Sequence, residues 1–79
     1  MTVGEAVRER IFELCRSNDI TINKLSNMSG VTQSTVNNIV SGRNHSANIS
    51  TIKKLCDGLG ITIQDFFDSP YFINLDQEI

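Results

Sequence analysis

Apolar residues recur every three or four positions along most of this chain, which is the spacing of one face of an α-helix. Polar capping residues and glycines interrupt the pattern, so it predicts several short helices rather than one long helix. The expected helices run from about Val3 to Ser17, from Thr21 to just before Gly30, from Thr32 to Ser41, from Asn48 or Ser50 to Gly60, and from Ile63 to Phe67. The positions expected to face inward are Val3, Val7, Ile11, Leu14, Leu25, Met28, Val36, Ile39, Val40, Ile49, Ile52, Leu55 and Leu59.

Threonine stands just before four of these segments, where its hydroxyl can accept a hydrogen bond from the first turn. Thr2 and Glu5 have the spacing of a capping box. Gly30 and Gly60 stand where a helix often ends in left-handed backbone. Only the stretch from Tyr71 to Leu75 is expected to be extended. The sequence therefore predicts an all-α fold, a compact five-helix bundle with an extended C-terminal tail.

The size and composition fit one small globular domain of 79 residues, 39% of them hydrophobic and 20% charged. No apolar run approaches the ~20 residues that a membrane helix needs. The charged, amphipathic N-terminus does not resemble a signal peptide. We therefore expect a cytoplasmic protein with no membrane partner.

Two cysteines, Cys15 and Cys56, stand at apolar helical positions. They are interpreted as small buried side chains in a reducing compartment, with a disulfide as the alternative. Two distant cysteines and a single histidine give no zinc-ligand spacing. No catalytic motif is present either, so we expect neither a metal, nor a cofactor, nor an enzyme.

Charge is unevenly distributed along the chain, although its net value is only −2. Between Ile20 and Cys56 there are basic residues and no acidic ones, whereas from Asp57 to the end there are acidic residues and no lysine or arginine. Local potential rather than total charge attracts a polyanion, so the middle of the chain is the candidate for binding one. The basic residues of the middle segment are Lys24, Arg43, Lys53 and Lys54.

The stretch from Thr21 to Ile39 has the spacing of two helices that cross steeply through a tight turn. Ser26 is small enough for the place where the helices touch, and Gly30 supplies the backbone flexibility that the turn needs. Apolar residues then fix the pair to the core. The outer face of the second helix carries only amides and hydroxyls, which can bond base edges in the major groove of DNA. These exposed residues are Gln33, Ser34, Asn37, Asn38 and Ser41.

The stretch LSNMSGVTQSTVNNIVSGR, followed by ISTIKKLCDGLGITIQDFF, resembles the phage repressor and Cro type of helix-turn-helix, the XRE family. The resemblance covers about Arg8 to Asp68. It implies a lambda-repressor-like fold that binds double-stranded DNA as a transcriptional regulator of the repressor kind, with the helix-turn-helix proper at 21–41. Two positions depart from the family pattern: Ile22 stands where glutamine is frequent, and Ser29 stands where an apolar residue is common.

The resemblance also implies roles for individual residues. Gln33, Ser34 and Asn38 would face bases, and Asn37 is added from the helix face alone. Contacts to the DNA backbone are expected around the same helix. The candidates for them are Thr21, Lys24, Thr32, Arg43, Asn44 and His45, although His45 could equally have no role.

The C-terminal end of the chain concentrates aromatic and aliphatic residues. We expect a DNA-binding domain at 1–69 and a tail at 70–79 that makes a homodimer on a pseudo-palindromic operator, because one small domain offers few DNA contacts. The alternative is that the tail caps its own core. The candidate interface residues are Phe66, Phe67, Tyr71, Phe72, Ile73 and Leu75.

A second function remains compatible with the sequence. The helix-turn-helix frame could instead bind a protein, as in an antitoxin or a polymerase-binding module, because the basic residues are few. No small-molecule ligand is expected in either case.

Overall fold

The structure, a computed structural model, describes residues 1–41 and 47–77. Within these ranges it contains the five α-helices that the pattern of apolar residues predicted, and one short 3₁₀ turn that it did not predict. None of these helices is both long and apolar enough to cross a membrane. The helices are α1 (Val3–Ser17), α2 (Ile22–Ser29), α3 (Gln33–Val40), α4 (Ile49–Leu59) and α5 (Ile63–Phe67), and the 3₁₀ turn is Pro70–Phe72.

Each helix begins at a side chain that accepts a hydrogen bond from its first turn. Asn48, not Ser50, starts α4, because its Oδ1 accepts from the Ser50 N–H at 2.7 Å. Gly30 and Gly60 end α2 and α4 with φ of +66° and +72°, the left-handed conformation that the sequence predicted for them. The caps of the other four helices are the hydroxyls of Thr2, Thr21, Thr32 and Thr62.

The core draws on all five helices and has Phe66 at its largest fully buried position. Cys15 and Cys56 are both buried and free, as expected, and burial raises the pKa of both thiols. Three residues expected to face inward are exposed instead: Val3, Met28 and Ile49. Each stands in the first or last turn of its helix, where the apolar stripe runs past the edge of the core.

A close approach between α2 and α4 was not predicted. A Cβ at Gly58 would lie 2.9 Å from the Cα of Ser29 and 3.1 Å from the carbonyl carbon of Met28. Glycine is therefore needed at 58 for space, since real Cβ atoms are not found so close to backbone. The same contact explains the small residue at Ser29, where the family pattern favours a larger apolar one.

The tail is more compact than predicted. Tyr71 and Phe72 belong to the 3₁₀ turn, and they are not extended because Pro70 starts a turn that the Ser69 hydroxyl caps. Further on, the Asp76 N–H donates to the Met1 carbonyl at 2.9 Å, within a parallel bridge between Thr2 and Asp76. The tail therefore packs along α1.

Aromatic packing corrects one interface assignment. The Phe67 ring contacts those of Phe66 and Phe72 edge-on, with centroids 5.0 and 4.8 Å apart. Phe66 is fully buried in this cluster, so the expectation that it lies in a dimer interface does not hold. Phe67, Tyr71, Phe72 and Leu75 are half-buried, which leaves Ile73, at 67% exposure, as the member most accessible to another chain.

Arg10 joins α1 to the end of α5. Its Nε donates to the Phe66 carbonyl at 2.7 Å and its Nη2 to the Asp65 carbonyl at 2.8 Å. Glu13 pairs with the same guanidinium at 2.5 Å. The arginine thereby gives the Phe66 carbonyl, in the last turn of α5, a donor. It also adds a second donor to the Asp65 carbonyl, which accepts from the Asp68 N–H at 3.3 Å.

Candidate nucleic-acid interface

Ser26 holds the turn between α2 and α3. It is 2% exposed, and its Oγ donates to the Val31 carbonyl at 2.6 Å. Its own carbonyl accepts from the N–H groups of Gly30 and Val31. The sequence predicted a small residue here but not this hydrogen bond, although a hydroxyl at a buried position was a signal that a partner exists.

The inner face of α3 fixes the helix to the core. Val36 is fully buried and Ile39 is 7% exposed. Because residues three and four apart share one side of a helix, the opposite side must face solvent. The structure places all four candidate base-contacting residues on that exposed side: Gln33, Ser34, Asn37 and Asn38.

The exposed polar groups of α3 differ in their hydrogen bonding. The Ser34 hydroxyl lies 3.3 Å from the Thr32 hydroxyl, and Ser41 Oγ donates to the Asn38 carbonyl at 3.4 Å. The side-chain amides of Gln33, Asn37 and Asn38 make no hydrogen bond with any other described residue. The amides therefore have their full donor and acceptor capacity available to a ligand.

The candidate backbone-contacting threonines already serve as helix caps. Thr21 Oγ1 accepts from the Lys24 N–H at 3.0 Å, and Thr32 Oγ1 accepts from the Thr35 N–H at 3.3 Å. Both threonines are exposed, and the N–H groups of the first turn that remain without partners point outward from each helix start. Such a helix start attracts an anion.

Lysines around this surface differ in their pairing. Lys24 is exposed in the first turn of α2 and makes no ion pair with a described residue. Lys53 on α4 pairs with Asp57, whereas Lys54 has no such partner. The remaining candidates, Arg43, Asn44 and His45, lie outside the described residues.

Ile22 occupies the first position of α2, where the family pattern often has glutamine. Its side chain is half-buried and packs against the core. The isoleucine side chain has no polar group that could bond a phosphate. The isoleucine instead adds apolar contacts that help to hold the start of α2 against the core.

Comparison with known proteins identifies this arrangement. The family model described as Cro/C1-type HTH DNA-binding domain matches residues 10–70. The crystal structure of the prophage Lp1 protein 11 is similar to this chain, with 41% sequence identity and a TM-score of 0.83, and the match covers 95% of this chain and 99% of that one. No curated protein sequence matches. The chain belongs to the family of Cro/C1-type helix-turn-helix DNA-binding domains.

Proposed function

We propose that the chain is a cytoplasmic transcriptional regulator that binds a specific double-stranded DNA site and represses by occupying a promoter. In this proposal α3 lies in the major groove. The observation that carries it is that the two sides of α3 differ: Val36 and Ile39 fix one side in the core, and the other side presents amides that bond no other described residue. Because α3 stays packed on the core, its exposed side can enter the major groove while the domain keeps its fold.

Contacts to phosphates would orient the domain on the duplex. Lys24 is exposed at the start of α2 and makes no ion pair within residues 1–41 and 47–77, and the capped first turns of α2 and α3 add N–H donors. Arg43 and Asn44 are proposed for the same role from the family resemblance, and His45 from its place beside them in the sequence. Such contacts set position and supply affinity, whereas bases supply specificity.

A gel-shift experiment with DNA fragments from upstream of the chain's own gene tests this function. We expect one fragment to be retarded specifically, and the double substitution Gln33→Ala and Asn38→Ala to abolish that specificity. The matched control is Gln64→Ala, an exposed amide on α5, which should bind like the original protein. If the double variant keeps the same preferred fragment, α3 is not the reading element.

A homodimer is the second part of the proposal. Pairing two domains doubles the number of DNA contacts, and half-sites are then about 10 base pairs apart. The exposed tail residue Ile73, flanked by Phe72 and Tyr71, supports a contact between copies on this face.

Ile73→Asp tests the dimer without disturbing the core. Sedimentation or light scattering should then show monomers at concentrations where the original protein pairs, and operator binding should weaken. Ile49→Asp is the matched control, because Ile49 is also exposed, at 58%, but lies at the start of α4. Dissociation by the Ile49 variant alone would place the interface elsewhere.

One observation favours a protein partner as the second candidate function. Residues 21–41 include a single charged side chain, Lys24, which is little for a surface that binds a polyanion. If no DNA is retarded at low salt but the chain co-purifies with a protein whose binding requires the α3 face, this alternative replaces the first.

A further inference from the structure

We infer that α3 reads adenines, so that each operator half-site presents a short block of A·T pairs to this helix and α3 makes no paired contact to guanine. This inference rests on the proposed function. It concerns the class of DNA sequence that is bound, which the helix-turn-helix frame alone does not determine.

The first step is the chemistry of the exposed face. Gln33, Asn37 and Asn38 carry amides, and Ser34 and Ser41 carry hydroxyls that already contact neighbours within the chain. The face has no lysine or arginine. The groups that remain free for bidentate contacts are therefore all amides.

The second step is the match between an amide and a base. Adenine presents N7 as an acceptor and N6 as a donor, and an amide offers one donor group and one acceptor in the same plane. Guanine presents two acceptors, N7 and O6, which need the paired donors of arginine or lysine. An amide facing guanine can use only its NH2 group as a donor, and its oxygen is left without a partner on that base.

The third step is the length of the block. Gln33 and Asn37 are one turn apart on the helix, and Asn38 lies beside Asn37. From 33 to 38 the helix rises about 7.5 Å, at ~1.5 Å per residue. Base pairs are stacked at about 3.4 Å, so the three amides span about two to three adjacent pairs.

A preference for A·T pairs could also arise from the narrow minor groove of such sequences, without base contacts. Inosine·cytosine pairs separate the two mechanisms. Such a pair lacks the guanine amino group, so its minor groove is like that of A·T, whereas its major groove is like that of G·C.

The experiment selects binding sites for the full chain from random duplexes and then substitutes single pairs in the selected site. We expect two or three adjacent A·T pairs in each half-site. Replacing one of them by either G·C or inosine·cytosine should weaken binding about 5- to 150-fold. Asn38→Ala should erase the preference at one pair, and Gln64→Ala at none.

Three results would overturn the inference. Full affinity with inosine·cytosine would show that the minor groove is read. A guanine whose preference disappears in Asn38→Ala would show that the amide reads another base. In both cases the proposed function stands. No sequence preference at all would remove the proposed function and this inference together.

Discussion

At the scale of single residues, small side chains decide how close the helices come. Ser26 lets α3 approach α2 and also bonds the turn through its hydroxyl. Gly58 does the same between α4 and α2, where even one methyl group would meet the backbone of Ser29. Both small residues, Ser26 and Gly58, therefore lie at contacts of α2, the helix that supports α3.

Gly58→Ala should lower the free energy of unfolding. Overpacking costs about 1–3 kcal/mol, and the better helix propensity of alanine returns at most about 1 kcal/mol. Urea unfolding measures the difference. Lys54→Ala, an exposed change on the same helix, should stay within about 0.5 kcal/mol of the original protein. If both variants unfold at the same urea concentration, the contact at 58 is not tight in solution.

Lys24→Gln should weaken binding to all DNA sequences alike. One lost phosphate contact lowers the slope of log affinity against log salt by about 0.9. Titrations between low and physiological salt measure this slope. Lys53→Gln is the control, because Lys53 pairs with Asp57 on α4, and a smaller change is expected. A loss confined to the preferred sequence would contradict a role for Lys24 at phosphate.

At the scale of elements, the start of each helix is encoded locally. The hydroxyl or amide that caps a helix is at most three residues from the N–H that it accepts from, so the sequence was enough to locate four of these starts and to narrow the start of α4 to Asn48 or Ser50. Features that depend on distant residues were not predicted: Gly58, the clamp by Arg10, and the contact of the tail with α1. In the candidate site, periodicity identified the exposed face of α3, whereas the hydrogen bond of Ser26 needed the folded turn.

Two capping boxes, Thr2 with Glu5 and Thr62 with Asp65, make the free energy of unfolding depend on pH in the acidic range. The Thr2 N–H and hydroxyl bond to Glu5, and these bonds lower the pKa of that carboxyl from its ordinary 4.5. Thr62 lowers the pKa of Asp65 from 3.8 in the same way. A carboxyl with a lowered pKa in the folded state stabilises the fold above its unfolded pKa, and this contribution is lost as the pH falls through the folded value.

Glu5→Gln should therefore make the free energy of unfolding less dependent on pH in the acidic range. Glutamine can still accept from the Thr2 N–H, so stability at pH 7 should change little. Between pH 5 and 3 the original protein should lose more stability than the variant, as measured by urea unfolding at each pH. Asp65→Asn should do the same in a window that begins about 0.7 pH unit lower, because the ordinary pKa values of the two carboxyls are 4.5 and 3.8. Parallel curves would contradict the role of these boxes.

At the scale of the whole molecule, the tail completes the fold. Phe72 packs on Phe67, and the backbone of Asp76 bonds Met1. Among the large apolar side chains of the described part of the tail, Ile73 is the exposed one. Both roles considered for the tail are thus compatible, because its inner side packs against this chain while Ile73 remains available to another.

Phe72→Ala should destabilise the monomer, and Ile73→Ala should not. Phe72 is only half-buried, so the expected loss is about 2 kcal/mol, less than the 3–5 kcal/mol typical of a fully buried phenylalanine. Ile73→Ala should stay within about 0.5 kcal/mol. Thermal or urea unfolding at submicromolar protein concentration keeps dimerisation out of the measurement. Equal losses at both positions would mean that the tail packs differently.

The Thr32 cap has a consequence for the thermodynamics of association. Because the first turn of α3 is fixed within the free domain, its backbone entropy is lost during folding and not when DNA arrives. For α3, only the rotamers of Gln33, Asn37 and Asn38 remain to be immobilised, at about 0.5–1.5 kcal/mol for each side chain. Removing the cap with Thr32→Ala would transfer part of the ordering to the binding step. Affinity would then fall even though no atom that touches a base had changed.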